Sequence, residues 1–238
     1  MPNRLIPYVK VLVHLVCLLP VIGLVRMYLS GALGLLADPV NYITHQTGYW
    51  ALFLLLASLA VTPVRRLHPK LANLIRFRRL LGLYAFFYAS LHLATYVFLF
   101  SGYDVPTAWA GLRAGHPGAL AEQWKLVWPT MVDDLKKRRF IQVGLFAWFL
   151  LFVLAVTSPA FIMRWMGGKR WRQVHWLVYV AACAGAVHYW WLVKKGVRAP
   201  MRFTLALIAL LLARVVWTVM KRKRGAVAAP RSSVVASG

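Results

Sequence analysis

Long apolar runs separated by short polar segments dominate this chain. A helix that crosses a lipid bilayer needs about 20 mostly apolar residues. Six runs approach or reach that length, at residues 11–29, 48–62, 80–100, 140–157, 173–193 and 201–220. The second run is short, and its helix is expected to begin nearer Thr44. The pattern predicts an all-α protein, a polytopic membrane bundle of six transmembrane helices.

The composition agrees with that fold. The 238 residues are 61% apolar and 14% charged, whereas soluble domains carry about 25% charged residues. The net charge of +24 would indicate nucleic acid on a soluble chain, but here the charges lie between apolar runs. We therefore expect contact with membrane lipid and no nucleic-acid partner. With only 5 Asp and Glu, catalysis by paired carboxylates is disfavoured.

The distribution of Lys and Arg predicts the orientation. The N-terminus, segments 63–79 and 158–172 and the C-terminal tail are together richer in Lys and Arg than the segments on the other side. Basic loops stay in the cytoplasm, so both termini are predicted to be cytoplasmic. The predicted organisation is a cytoplasmic N-terminus at 1–10, a six-helix transmembrane domain at 11–220 and a basic, disordered cytoplasmic tail at 221–238. No repeat of fixed period is apparent by inspection.

Two histidines lie at matched depth in separate predicted helices. Ionisable groups inside a bilayer are costly and indicate function. By helical rise, His92 lies about 20 Å and His188 about 22 Å from the cytoplasmic ends of the third and fifth helices. A haem iron takes one axial nitrogen from each side of the porphyrin, so this pair is a candidate ligand set. A hydrogen bond between helices is the alternative interpretation.

His175 is a weaker candidate at the cytoplasmic end of the fifth helix. A second cofactor at this level would let electrons cross the membrane in two steps. The matching level of the third helix holds Arg78 and Arg79, which cannot ligate iron. On one straight helix, the side chains of His175 and His188 would also point about 140° apart.

The other histidines have open interpretations. His14 either serves a second site with His175 or makes an interhelical hydrogen bond. His45 is a cofactor-edge, partner-facing or plain interfacial residue. His68 and His116 lie in polar loops and are expected to be solvated.

A basic cluster precedes the third helix. It comprises Arg65, Arg66, Lys70, Arg76, Arg78 and Arg79. Its counterions are either anionic lipid headgroups or the propionate or phosphate groups of a cofactor, and Arg78 and Arg79 are the more cofactor-like because they open the helix. No GxGxxG or P-loop motif is present in the sequence, so electrons from the cytoplasm would need a separate donor.

Several sequence segments resemble a known family. They are ADPVNYITHQTG (37–48), TP (62–63), LIRFRRLLGLY (74–84), ASLHLATY (89–96), GKRWRQVHWLVY (168–179) and AVHYWW (186–191). Over about residues 8–220 the chain resembles the MsrQ (YedZ) family, the haem-binding membrane subunits of bacterial periplasmic methionine-sulfoxide reductase systems. The wider group is the ferric-reductase-like transmembrane cytochromes.

The resemblance implies a multi-pass protein of the bacterial inner membrane that binds b-type haem and FMN. It implies haem ligation by His92, His175 and His188. Electrons would come from the quinone pool or a cytosolic flavin reductase. They would go to a periplasmic molybdopterin-containing catalytic subunit that reduces methionine sulfoxide in oxidised envelope proteins. The chain would be an electron-transfer subunit rather than a complete enzyme, and the arginine in place of a second third-helix histidine leaves the haem number open.

Two alternatives stand beside this interpretation. One is a stand-alone haem metalloreductase or quinol oxidoreductase of the same fold. The other is a small proton-coupled transporter whose histidines relay protons. The predicted helices lack intramembrane carboxylates and a pair of broken helices, which disfavours the transporter.

Overall fold

A computed structural model describes residues 3–193 and 197–228, and all regular structure within them is helical. The helices are α1 (Ile6–Leu29), α2 (Pro39–Val64), α3 (Ile75–Thr95), α4 (Val105–Arg113), α5 (Gly118–Lys137), α6 (Arg139–Val156), α7 (Ala160–Met166), α8 (Gly168–Val174), α9 (Leu177–Leu192) and α10 (Ala199–Ala228). The all-α prediction is confirmed. Residues 1–2 of the predicted N-terminal segment and 229–238 of the predicted tail lie outside the described residues, whereas 221–228 continue α10.

Five helical segments are long and apolar enough to cross a membrane. They are Ile6–Leu29, Pro69–Phe100, Pro39–Val64, Arg139–Val156 and Ala199–Lys221. The predicted run 173–193 is instead divided by a turn at His175 and Trp176, which leaves the 16-residue α9. At 1.5 Å per residue α9 is about 24 Å long, less than the hydrocarbon thickness of about 30 Å. Six spans and cytoplasmic termini therefore stay predictions.

The second helix begins well before its apolar run. Asp38 accepts a hydrogen bond from the backbone N–H of Asn41 at 2.9 Å, and Pro39 occupies the first helical position. An acidic N-cap followed by proline is a strong helix start. This cap adds polar turns that place Thr44 and Gly48 inside α2.

The core lies where α2, α3, α6 and α9 meet. α2 packs along α3, and α6 packs along α9, while α3 contacts α6 and α2 contacts α9. Leu59, Tyr88 and Ala182 are fully buried at these contacts. α10 lies against α2 and α9, and α1 is largely exposed, as expected for an apolar helix facing lipid.

The two helices between α3 and α6 form a small cap. Tyr103, Ala108 and Val127 make a separate apolar cluster there, with Trp124 packed against it. Asp104 caps α4, and the hydroxyl and backbone N–H of Thr107 donate to its carboxylate, which holds the pKa of Asp104 below its usual value. Trp128 is exposed on α5.

Candidate functional site

The imidazole rings of His92 and His188 lie side by side in the bundle. His92 projects from α3 and His188 from α9, and their ring centroids are 5.9 Å apart with planes at 83°. Two rings on opposite sides of one metal ion, each bound at about 2.0–2.1 Å, also have centroids on the order of 6 Å apart. The separation therefore suits a shared metal ion. We call the position of this pair the outer level.

Both histidines are held in the tautomer that a metal ligand needs. Nδ1 of His92 lies 2.9 Å from the carbonyl oxygen of Thr44, and Nδ1 of His188 lies 2.7 Å from that of Phe140. A carbonyl only accepts, so each Nδ1 carries the proton and donates it. The lone pair on each Nε2 is then available to a metal, in the arrangement typical of ligating histidines.

Two glycines make room for these rings. A Cβ on Gly48 of α2 would lie 3.0 Å from Cε1 of His92, and one on Gly144 of α6 would lie 2.7 Å from Cε1 and Nδ1 of His188. Real Cβ atoms essentially never come within 3.0 Å of another atom, so an alanine at Gly144 would displace the ring of His188. An alanine at Gly48 would need the ring of His92 to move by a few tenths of an ångström. Because Gly48 and Gly144 have no side chain, each imidazole ring packs directly against the backbone of the neighbouring helix.

The two half-sites are related by an internal repeat. Histidine, carbonyl donor and glycine all recur 96 positions later, His92 as His188, Thr44 as Phe140 and Gly48 as Gly144. The matching sequences are QTGYWALFLLL (46–56) and QVGLFAWFLLF (142–152), each followed by TP or SP (62–63 and 158–159). The expectation that the chain has no repeat is therefore wrong. The pair α2–α3 corresponds to α6 together with α8–α9.

The repeat makes Arg79 the equivalent of His175, and we call the level of these two residues the inner level. Nη1 of Arg79 donates to the carbonyl oxygen of Ser158 at 3.3 Å. His175 stacks on Trp171 with ring centroids 3.9 Å apart, and within residues 3–193 and 197–228 its buried Nδ1 finds no hydrogen-bond partner. The angle of about 140° between the His175 and His188 side chains assumed one straight helix. The turn at His175–Trp176 interrupts that helix, so the angle does not apply.

Two further arginines converge near the inner level. Nη1 of Arg78 donates to the Thr62 hydroxyl at 3.2 Å. Arg214 of α10 donates to the Tyr179 hydroxyl and to the carbonyl oxygen of Leu59, and its guanidinium lies 5.0 Å from the centroid of the Tyr179 ring. Sequence reasoning missed Arg214, although a lone arginine inside the apolar run 201–220 is the kind of residue that indicates function.

The inner level is cationic without carboxylates. The five acidic residues of the chain are Asp38, Asp104, Glu122, Asp133 and Asp134, and all lie at the start of α2 or between α3 and α6. In the described ranges the ion pairs are Lys137–Asp133 and Arg138–Asp134, both in or beside α5. Arg78 and Arg214 are half-buried and Arg79 is exposed. Guanidinium groups that are partly removed from water and have no carboxylate partner suit an anionic ligand.

The remaining histidines take simpler roles. Nδ1 of His14 lies 2.7 Å from the Tyr84 hydroxyl, which is the interhelical contact that the sequence left as one alternative. His68 is exposed and accepts from the backbone N–H of Lys70. His116 is exposed, and His45 is half-buried, next to Thr44 in α2.

The outer level fits a haem better than a bare metal ion. Across the described residues, no group of three or more His, Cys, Asp or Glu side chains could hold a metal ion. A free transition-metal ion in a protein takes about four ligands, three or four of them from side chains. A haem iron already has its equatorial nitrogens and needs two further ligands, a number that the His92–His188 pair matches.

Comparisons with known proteins agree with this chemistry. Residues 47–186 match the family described as "Ferric reductase like transmembrane component". A protein of Xanthomonas campestris pv. campestris is 42% identical over 195 residues, which cover 82% of this chain and 77% of the relative. A protein of Herminiimonas arsenicoxydans is 38% identical over 218 residues, 91% of this chain and 88% of the relative. Both are named protein-methionine-sulfoxide reductase heme-binding subunit MsrQ. The chain therefore belongs to the ferric-reductase-like transmembrane family and, within it, to the MsrQ heme-binding subunits.

Proposed function

We propose that this protein is a b-type cytochrome subunit of the bacterial inner membrane that passes electrons to a periplasmic molybdopterin-containing methionine-sulfoxide reductase. The observation that carries the proposal is the His92–His188 pair, with both Nδ1 atoms donating to carbonyl oxygens and both Nε2 atoms available. The names of the relatives, which are heme-binding subunits of a methionine-sulfoxide reductase, support the partner. In this function α9 completes a six-span bundle with both termini in the cytoplasm.

His92 and His188 would hold the haem, which when bound supplies one-electron redox chemistry. The carbonyls of Thr44 and Phe140 orient the two rings and raise their basicity as ligands. The apolar core between α2, α3, α6 and α9 keeps water away from the site. Reduction of methionine sulfoxide would take place in the partner.

The inner level would hold an anionic cofactor group. We propose that Arg78, Arg79 and Arg214 bind a haem propionate or the phosphate of FMN, and that His175 is a ligand or neighbour of that cofactor. The missing carboxylates and the unpartnered Nδ1 of His175 support this assignment. Electrons would come from a quinol or from a cytosolic flavin reductase.

The test is electron transfer from the purified protein to its partner. The detergent-purified protein, reduced with dithionite, should show the absorption bands of a ferrous b-type haem. We expect these bands to be oxidised when a molybdopterin-containing methionine-sulfoxide reductase and methionine sulfoxide are added together, and to stay reduced when the sulfoxide is left out. Oxidation by ferric citrate but not by the partner would favour a stand-alone metalloreductase, and a colourless protein would favour a transporter.

A further inference from the structure

Threonine side chains surround His92 in the first half of the outer level. They are Thr44 and Thr47 of α2 and Thr95 of α3, and both Thr47 and Thr95 are buried. The hydroxyl of Thr95 donates to the backbone carbonyl of His92 at 2.7 Å, and the hydroxyl of Thr44 lies 3.1 Å from that of Thr95. Since Nδ1 of His92 also donates to the Thr44 carbonyl, the ring and the backbone of His92 are both tied to the same turn of α2.

The hydroxyl of Thr47 lies next to the imidazole of His92. Its oxygen is 3.5 Å from Nδ1 of His92, and it is 2.9 Å from the carbonyl oxygen of Ile43 and 3.0 Å from that of Thr44. A hydroxyl has one hydrogen and two lone pairs, whereas a carbonyl only accepts. The hydrogen of the Thr47 hydroxyl is therefore directed to a carbonyl, and a lone pair is left for the N–H of His92.

Thr47 is the weaker of two acceptors for this N–H. Its distance of 3.5 Å is longer than the roughly 2.7–3.2 Å of a normal N–H···O hydrogen bond, while the Thr44 carbonyl lies at 2.9 Å. The Thr47 side chain is only 2% exposed, and polar contacts removed from water keep more of their strength. Nδ1 of His92 thus faces two oxygens in a buried setting.

The second half of the outer level lacks these hydroxyls. The offset of 96 positions makes Phe140, Val143 and Trp191 the equivalents of Thr44, Thr47 and Thr95. The ring centroids of Phe140 and His188 are 6.2 Å apart, so an apolar ring lies where the first half has a hydroxyl. Within residues 3–193 and 197–228, Nδ1 of His188 has the Phe140 carbonyl as its one acceptor. The two half-sites therefore share the histidine, the carbonyl and the glycine but not the hydroxyls.

We propose that the Thr47 hydroxyl makes His92 the stronger electron donor of the two axial ligands and so lowers the reduction potential of the haem. An oxygen that accepts from Nδ1–H raises the basicity of the ligating nitrogen. A more basic ligand stabilises ferric iron relative to ferrous iron, and outer hydrogen bonding is one of the means by which a protein sets a haem potential. The inference rests on the proposed function, because it concerns a haem held by His92 and His188. A lower potential makes the ferrous haem a stronger reductant for the partner.

The repeat supplies the variants for the test. Thr47→Val gives α2 the residue that α6 carries at the equivalent position, with nearly the same shape and no hydroxyl. Thr47→Ser keeps the hydroxyl and removes only a methyl group. Val143→Thr adds a hydroxyl to the half that carries His188. The matched control is Thr218→Val on α10, because the exposed Thr218 hydroxyl donates to the carbonyl four residues earlier, as the Thr47 hydroxyl does.

The measurement is the midpoint reduction potential of the haem in the purified holoprotein, followed by spectroelectrochemistry. We expect a higher potential in Thr47→Val, a lower potential in Val143→Thr, and wild-type potentials in Thr47→Ser and Thr218→Val. At the wild-type midpoint, the ratio of ferrous to ferric haem should rise about twofold in Thr47→Val, which is a fraction of the strength of one hydrogen bond. Haem content should be unchanged in all four variants. A side chain that only packs would not shift the potential in opposite directions in the two halves.

A wild-type potential in Thr47→Val, or the same upward shift in Thr47→Ser, would overturn the role of the hydroxyl. If Thr47→Val loses its haem, Val143→Thr decides the question, since it adds a hydroxyl and removes none. An unchanged or higher potential in Val143→Thr would then overturn the inference. A wild-type protein that binds no haem would defeat the proposed function, whereas a haem of the same potential in every variant would defeat this inference alone.

Discussion

The two halves of the repeat are alike at the outer level and different at the inner level. At the outer level each half contributes one histidine, one backbone carbonyl and one glycine in the same arrangement. At the inner level the first half has Arg79 where the second has His175. The comparison fits the proposal that a ligand shared equally by both halves binds at the outer level and that an anionic group binds at the inner level, on the side of the arginines.

The lipid-facing surfaces of the two halves differ as well. α10 packs along α2, while α6 exposes large apolar side chains such as Phe146 and Phe149. If the two halves of a duplicated scaffold contact different partners, their core residues are expected to stay similar and their outer surfaces to differ.

The largest effect within this comparison is expected from the glycines that hold the rings. Overpacking typically costs about 1–3 kcal/mol, which corresponds to roughly 5- to 150-fold weaker binding. Gly144→Ala, with the closer approach of 2.7 Å, should weaken haem binding by at least tenfold and lower haem occupancy, and Gly48→Ala, at 3.0 Å, should lower occupancy less. The measurement is the ratio of haem to protein by pyridine haemochrome.

Gly23→Ala is the matched control, because a Cβ on this α1 glycine meets nothing within 4 Å. It should leave haem occupancy unchanged. The equivalence of the half-sites fails if Gly48→Ala and Gly144→Ala both bind haem as well as this control does.

A smaller effect is expected at the inner level. His175 lies 13 residues before His188 along the chain, about 20 Å if the segment were fully helical, too far to ligate the same iron. His175→Ala and Arg79→Gln should therefore retain the outer-level haem and lose at most half of the total. Exposed Arg172 provides the control variant Arg172→Ala, expected at wild-type occupancy. Complete loss of haem in His175→Ala would mean that the two levels are not independent.

The sequence was sufficient to predict the fold class and the meeting of His92 with His188. Both follow from simple rules, because apolar runs of bilayer length predict spans and a fixed rise per residue converts chain position into depth. The start of α2 was misjudged because the Asp38 cap extends the helix through polar turns that hydrophobicity does not detect.

Other features needed three-dimensional contacts. The repeat is hard to recognise in the sequence because few residues are identical outside 46–56 and 142–152, whereas the shared carbonyl and glycine contacts define the offset clearly. The break at His175–Trp176 contains neither proline nor glycine, so the local sequence did not predict it. Arg214 was counted only as a charge, and its role depends on Tyr179 and Leu59 from distant parts of the chain.

The most direct test of the central claim is the Soret absorbance of purified His92→Ala and His188→Ala, with His14→Ala as the control. His14 lies on α1 and bonds to Tyr84, outside the outer level. We expect each of the first two variants to insert into the membrane and to lose the outer-level haem band, while His14→Ala keeps it. A wild-type Soret band in either His92→Ala or His188→Ala would contradict the proposal that these two imidazoles bind one haem.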